Sequence, residues 1–293
     1  MIAAIPFPDI SPEIVSFTLF GRDFAIRWYA MAYIVGIAIG YWIMGLALRR
    51  PALWGGTPPM EPARREDLLT WIVLGVIVGG RLGYVLFYQP GYYLANPLEI
   101  PIIWRGGLSF HGGFLGVVLG VLLFSWKNRI PLAQLSDAVA LSATPAILLV
   151  RIANFVNGEL WGRPTDAPWG VIFPSPAAQD CPDVAGLCAR HPSQLYEAGL
   201  EGLLLGAILL YAAFRLGALA RPWLVSAIFF LGYGLARFTV ELVRQPDAQF
   251  AGPGNPVGWA LDFGTWGLTM GQILSLPMIL IGLAIVLRTT RPR

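Results

Sequence analysis

Apolar stretches of roughly 20 residues recur along this chain, and that recurrence limits the fold more than any other feature, because about 20 residues is what a helix needs to span a bilayer's hydrocarbon. Seven windows qualify, at about 26–48, 69–89, 108–126, 133–157, 194–214, 222–243 and 268–288. Only 13% of the 293 residues are charged and 56% are hydrophobic, whereas a soluble domain carries about 25% charged residues to cover its surface. A cytosolic enzyme, a disordered regulator and a DNA-binding module are excluded together. The 11 Trp, 10 Tyr and 16 Phe suit membrane-interface belts rather than base stacking. The predicted fold class is an all-α polytopic membrane protein, a single domain of seven transmembrane helices.

Orientation follows from the basic residues, of which Lys127 is the one lysine among 20. Arg49, Arg50, Arg64, Arg65, Lys127, Arg129, Arg215, Arg221, Arg288, Arg291 and Arg293 fall on one side of the predicted bundle. Arg22, Arg27, Arg105, Arg163, Arg190 and Arg244 fall on the other. Cytoplasmic loops carry the excess, so the N-terminus is expected outside and the C-terminus in the cytoplasm. The first 25 residues contain Pro6, Pro8, Asp9, Pro12 and Glu13 and lack a basic-then-apolar order. They are expected to form an extended or interfacial lead-in, not a cleavable signal peptide.

The longest outward connection, 158–193, reads as a small ordered cap and holds both cysteines, Cys181 and Cys188. An oxidising compartment permits a disulfide there, and two free thiols are the alternative. The two His and two Cys show no ligand spacing, so no metal is expected. Small-residue spacings at Gly36/Gly40, Gly75/Gly79, Gly112/Gly116/Gly120 and Gly202/Gly206 are read as places where helices approach closely.

The polar residues within the windows share one depth. With this orientation Tyr29, Arg81, His111, Arg151, Asn154, Asn157, Glu159, Gln194, Tyr196, Glu197, Glu201, Tyr233, Arg237, Glu241 and Arg244 all fall in the outer half of the bilayer. Intramembrane charges are costly and usually mark function. Arg151, Asn154 and Asn157 share a helix face, as do Tyr233, Arg237, Glu241 and Arg244. Two readings stand at this point. One is a polar chamber opening outward. The other is internal pairing that holds helices together, Arg237 with Glu241 and Arg151 with Glu159, Glu197 or Glu201.

Arginine presents a planar fork suited to phosphate and stays charged at physiological pH. Several arginines in one leaflet point to an anionic lipid headgroup. His111 is the histidine inside a membrane window and exchanges a proton near neutrality, although a structural histidine is an equal reading. His191 lies in the cap-to-helix turn and reads as structural. No Ser-His-Asp order or nucleophile elbow occurs, so an enzyme of this kind takes its nucleophile from a substrate. The rival is an anionic-lipid-binding or transport protein without covalent chemistry.

The segment RIANFVNGELWGRP, Arg151 to Pro164, resembles the signature of the prolipoprotein diacylglyceryl transferase family. GGRLGYVLFY at 79–88, GGLSFHGGFLG at 106–116, RHPSQLYEAGLEG at 190–202, ELVRQPDAQF at 241–250 and MGQILSLPMI at 270–279 extend the resemblance over nearly the whole chain. One departure is Val150, where the family carries glycine; the 175–189 loop with its cysteines is another.

The resemblance implies transfer of the diacylglyceryl group of phosphatidylglycerol to the thiol of the lipobox cysteine of a preprolipoprotein. This is the first step of bacterial lipoprotein maturation. By resemblance His111 accepts the thiol proton, and Arg151 and Arg237 hold the phosphate. Tyr29, Asn154, Glu159, Gly162, Tyr233 and Glu241 match positions lining the family's site. Arg81, Asn157 and Arg244 join the substrate-binding set from their depth. The expected partners are phosphatidylglycerol, the lipoprotein signal peptide and the bilayer, with no nucleic acid and no cofactor. A monomer in the bacterial inner membrane is expected, its site facing the periplasm.

Overall fold

In a computed structural model of the protein, residues 4–181, 184–246, 250–252 and 254–290 are described. Arg291 and Arg293 of the charge count, residues 247–249 of the ELVRQPDAQF block, and residues 182–183 of the cap lie outside the described residues. The chain divides into two compact units, one of Met1–Ile43 with Ala140–Arg293 and the other of Met44–Val139.

Each of the seven apolar windows holds a helix: α1 (Trp28–Leu48), α2 (Arg65–Phe87), α3 (Phe110–Asn128), α4 (Leu132–Val156), α5 (Ser193–Arg215), α6 (Leu224–Val240) and α7 (Met270–Thr290). Among the described residues α1, α2, α4, α5 and α7 are long and apolar enough to cross a membrane, and α6 is a shorter apolar helix. Local chemistry sets several ends. Glu66 and Asp67 occupy the first turn of α2, where the helix dipole favours negative charge. Ser109 caps α3 by accepting from the Gly112 N–H at 3.2 Å. α2 begins at Arg65, four residues before the apolar run, so Arg65 belongs to the helix and not to the preceding loop.

In the Met44–Val139 unit, α2 and α3 meet along their glycines. A Cβ added to Gly79 would lie 2.8 Å from Gly116 Cα, and one added to Gly83 would lie 2.7 Å from Gly112 Cα. No side chain fits between these backbones, so the glycine spacings act as close-approach faces. In the other unit Gly36 of α1 is against Ala146, and Gly202 and Gly206 of α5 are against Leu148 and Thr144 of α4.

The chain is not purely helical. β1 (Ile5–Pro6) pairs in parallel with β4 (Val171–Ile172), tying the lead-in to the connection after α4. Phe7, Phe155 and Phe173 pack there in tilted and edge-on pairs with ring centroids 5.4 to 5.9 Å apart, over buried Val171 and Ala178. β2 (Glu13–Leu19) and β3 (Arg22–Arg27) form an antiparallel hairpin, so the backbone of the lead-in is extended and paired with itself. Its turn residues Phe20 and Gly21 both have positive φ, 50° and 71°, as a tight two-residue hairpin turn requires. A second short hairpin, β5 (Leu261–Asp262) with β6 (Gly267–Leu268), precedes α7. Inside α5, Ala198–Leu204 is wound as a π-helix, a rare conformation found frequently at functional sites.

Candidate active site

Three arginines and three glutamates from α4, α5, α6 and the turn after α6 form one ion network. Arg151 Nη1 lies 3.1 Å from Glu197 Oε2, and its Nη2 lies 3.3 Å from Glu201 Oε2. Arg237 Nη1 lies 3.0 Å from Glu197 Oε1, and its Nη2 lies 2.7 Å from Glu241 Oε2. Arg244 Nη1 reaches Glu241 Oε2 more loosely, at 4.0 Å. Internal pairing, weighed above against an open chamber, is therefore realised, with Glu197 and Glu201 as the partners of Arg151. Glu159 is instead the acceptor of the Asn154 amide, at 2.8 Å.

The network is unevenly exposed. The carboxylate side chains are 0 to 6% accessible, while Arg151, Arg237 and Arg244 keep 20, 17 and 20%. Equal numbers of charges thus present guanidinium to the accessible side and carboxylate to the protein. Burying a carboxylate without such a partner is costly. Gly271 of α7 backs Glu241: an added Cβ would lie 2.5 Å from its carboxylate carbon. One Glu201 oxygen and the Gln194 side-chain oxygen are buried with no hydrogen-bond partner among the described residues.

The turn after α4 is sewn to two other segments. Gly162 N–H donates to the His191 carbonyl at 2.8 Å, and Arg163 N–H donates to the Val243 carbonyl at 2.8 Å. Gly162 has no room for a side chain, since an added Cβ would lie 2.7 Å from His191 Cβ. Fully buried Gln194 donates to the Glu159 carbonyl at 2.5 Å. Arg190 spends its guanidinium on the Ala178, Gly162 and Asp180 carbonyls, Gln245 and Cys181 Sγ, over the Trp161 ring. Burial pulls the Arg190, Arg163 and His191 side chains below their ordinary pKa values. Cys181 and Cys188 form a disulfide beside Arg190.

Three tyrosines attend the network. The Tyr29 and Tyr33 rings of α1 lie with centroids 5.3 Å apart, and Tyr33 is within electrostatic reach of Arg151 and Glu159. Tyr233 of α6 is within reach of Arg151, Arg237, Glu197 and Glu201.

The expected set is only partly assembled here. Arg151, Asn154, Glu159, Tyr233, Arg237, Glu241 and Arg244 come together in the larger unit, with Tyr29 joined through Tyr33. Asn157 follows α4 and lines a pocket with Ser11, Pro12, Glu13 and Arg27. His111 and Arg81 belong to the Met44–Val139 unit. Four Arg81 N–H···O bonds go to backbone carbonyls of its own unit. Glu197 and Glu201 were expected as candidate partners of Arg151 but, like Tyr33, not as members of the catalytic or substrate-binding set. The first two had a signal, an i,i+4 carboxylate pair in an apolar helix, and Tyr33 had the i,i+4 spacing from Tyr29.

Membrane-length apolar helices define a helical membrane protein, and one of its units carries a guanidinium-faced ion network. A family model described as prolipoprotein diacylglyceryl transferase matches residues 15–288. The chain is 63% identical to a phosphatidylglycerol–prolipoprotein diacylglyceryl transferase of Ruegeria pomeroyi, over 98% of each chain. It is 58% identical to the Roseobacter denitrificans protein of that name over 98% of each, and 47% identical to the Rhodospirillum rubrum one over 100% of this chain and 97% of that one. The chain belongs to the prolipoprotein diacylglyceryl transferase family.

Proposed function

We propose that this protein transfers the diacylglyceryl group of phosphatidylglycerol to the thiol of the lipobox cysteine of a preprolipoprotein, the first step of lipoprotein maturation. The observation that carries the site assignment is the lopsided network, in which Arg151 and Arg237 remain partly accessible above buried carboxylates. In the reaction the thiol gives up its proton and sulfur bonds to the glyceryl carbon. The carbon–oxygen bond to phosphate breaks, and glycerol phosphate leaves with the bonding pair. Phosphate charge grows as that bond breaks, and paired guanidinium forks stabilise it. Arg151 and Arg237 take this role.

Tyr29, Asn154, Asn157, Glu159, Gly162, Tyr233, Glu241 and Arg244 line and support the substrate site. A free thiol has a pKa of about 8.5, so a base speeds its ionisation. His111 is that base, an assignment resting on its chemistry and its motif. The chain works as a monomer in the bacterial inner membrane, one transmembrane domain of seven crossings with the N-terminus outside and the C-terminus cytoplasmic. The 158–193 segment caps the periplasmic side, and the site lies in the outer leaflet. The asymmetry of basic residues supports this orientation.

Reconstitution with phosphatidylglycerol vesicles and a lipobox peptide tests the reading. The expected result is a mass gain of one diacylglyceryl group on the peptide cysteine. Lipid binding without any adduct would move the protein to the non-covalent lipid-binding or transport class.

A further inference from the structure

Arg81 is 5% exposed on α2 and makes no ion pair with a carboxylate among the described residues. A buried charge of this kind is costly unless its donors are satisfied. Here they are satisfied by main chain: Nε donates to the Ile100 carbonyl at 2.7 Å, and Nη2 to the Glu99 carbonyl at 2.8 Å. Nη1 donates to the Gly106 and Gly107 carbonyls at 2.8 and 3.1 Å. The guanidinium carbon sits 4.9 Å from the centroid of the Tyr93 ring. Four of the five guanidinium N–H groups are thereby committed, which leaves little for a lipid phosphate.

The segment so gathered leads directly into α3. Gly106 and Gly107 have φ of 85° and 80°, conformations that favour glycine. Two residues later the Ser109 N–H donates to the Gly80 carbonyl at 2.8 Å while its hydroxyl caps α3. His111 follows in the first turn of that helix. Arg81 and Gly80 are consecutive on α2, so adjacent residues fix both the connection and the point where α3 starts.

We infer that Arg81 is a positioning residue for His111: by collecting four carbonyls of the 99–107 segment it fixes the entry of α3 and hence the imidazole. The inference rests on the reading of His111 as the proton acceptor. Lysine keeps the charge but has one nitrogen, and it cannot serve carbonyls spread around a planar fork. A misplaced base costs turnover rather than lipid affinity.

The test compares Arg81→Lys and Gly107→Ala with Gly91→Ala, using phosphatidylglycerol vesicles and a lipobox peptide. A Cβ at Gly107 would lie 2.8 Å from Arg81 Nη1, whereas one at Gly91 meets nothing within 4 Å. Arg81→Lys and Gly107→Ala are expected to lower kcat roughly 10- to 100-fold with KM for the lipid unchanged, and to shift the acid limb of the kcat profile. Gly91→Ala is expected to match wild type. Unchanged kcat, a raised KM with kcat kept, or a fallen kcat with an unmoved acid limb overturns the inference. His111→Gln separates the two readings: full activity there removes His111 as the base, whatever Arg81→Lys does.

Discussion

Glu197 gives one carboxylate oxygen to each of two arginines, at 3.1 Å to Arg151 Nη1 and 3.0 Å to Arg237 Nη1. A single buried anion therefore sets the separation of the two guanidiniums from different helices. Glu197→Gln keeps the shape and removes the charge, and leaves two partly accessible cations each with one carboxylate partner fewer. Turnover is expected to fall on the order of 100-fold, with stability reduced by about 3 kcal/mol. Arg151→Lys is expected to be as severely impaired, because one ammonium cannot reach both Glu197 and Glu201 while facing a phosphate. Adduct formation rates and detergent-solubilised melting curves check both variants.

Gly162→Ala adds one methyl where Val243 O is 2.5 Å and His191 Cβ 2.7 Å from the added carbon. The turn must shift away from both segments that hold it. Activity is expected to fall at least about 10-fold, with a stability loss of roughly 1–3 kcal/mol. Wild-type turnover by this variant would show that the turn's position does not matter to the reaction.

The Cys181–Cys188 bridge closes a loop of sequence separation 7. Neither sulfur belongs to the ion network. Replacing both with serine is expected to leave turnover per folded molecule unchanged and to cost about 2 kcal/mol of stability. Loss of turnover in a well-folded double variant would mean that Arg190, which contacts Cys181 Sγ and Gly162 O, transmits the loss to the site.

Burial holds the His191 imidazole below its ordinary pKa of 6.5. The folded chain thus resists a proton that the unfolded chain accepts. Stability is full above the unfolded value and declines as pH drops from there toward the folded value, then levels off. The melting temperature should fall as pH drops below about 7.5, and less so in His191→Gln. An equal fall in both proteins would assign the effect to other groups.

What was legible in the sequence follows from the range of each interaction. Apolar runs report on burial residue by residue, so each window found its helix. Arg151 and Arg237 stood out because charge in an apolar run demands a partner. Which partner it takes is a non-local fact. Arg81 looked like Arg151 in its own run, yet its donors go to carbonyls 18 to 26 residues away along the chain. The hairpin of β2 and β3 was hidden because apolar residues occupy consecutive positions, as at Ile14 and Val15, and its turn is Phe20-Gly21 rather than Asn-Gly. The α2–α3 glycine face was readable as a spacing, and the structure added only which backbone each glycine meets.

The π-wound stretch Ala198–Leu204 has a consequence for length itself. A π turn accommodates one more residue than the α ladder around it. Removing a single residue here would let the stretch rewind as α-helix with Leu205–Arg215 kept on its face. Removing one from the α-wound turns beyond it would swing everything downstream by about 100°, the turn per residue of an α-helix. The π stretch is therefore the one place in this helix where the chain can lose a residue without re-aiming the half-helix that follows.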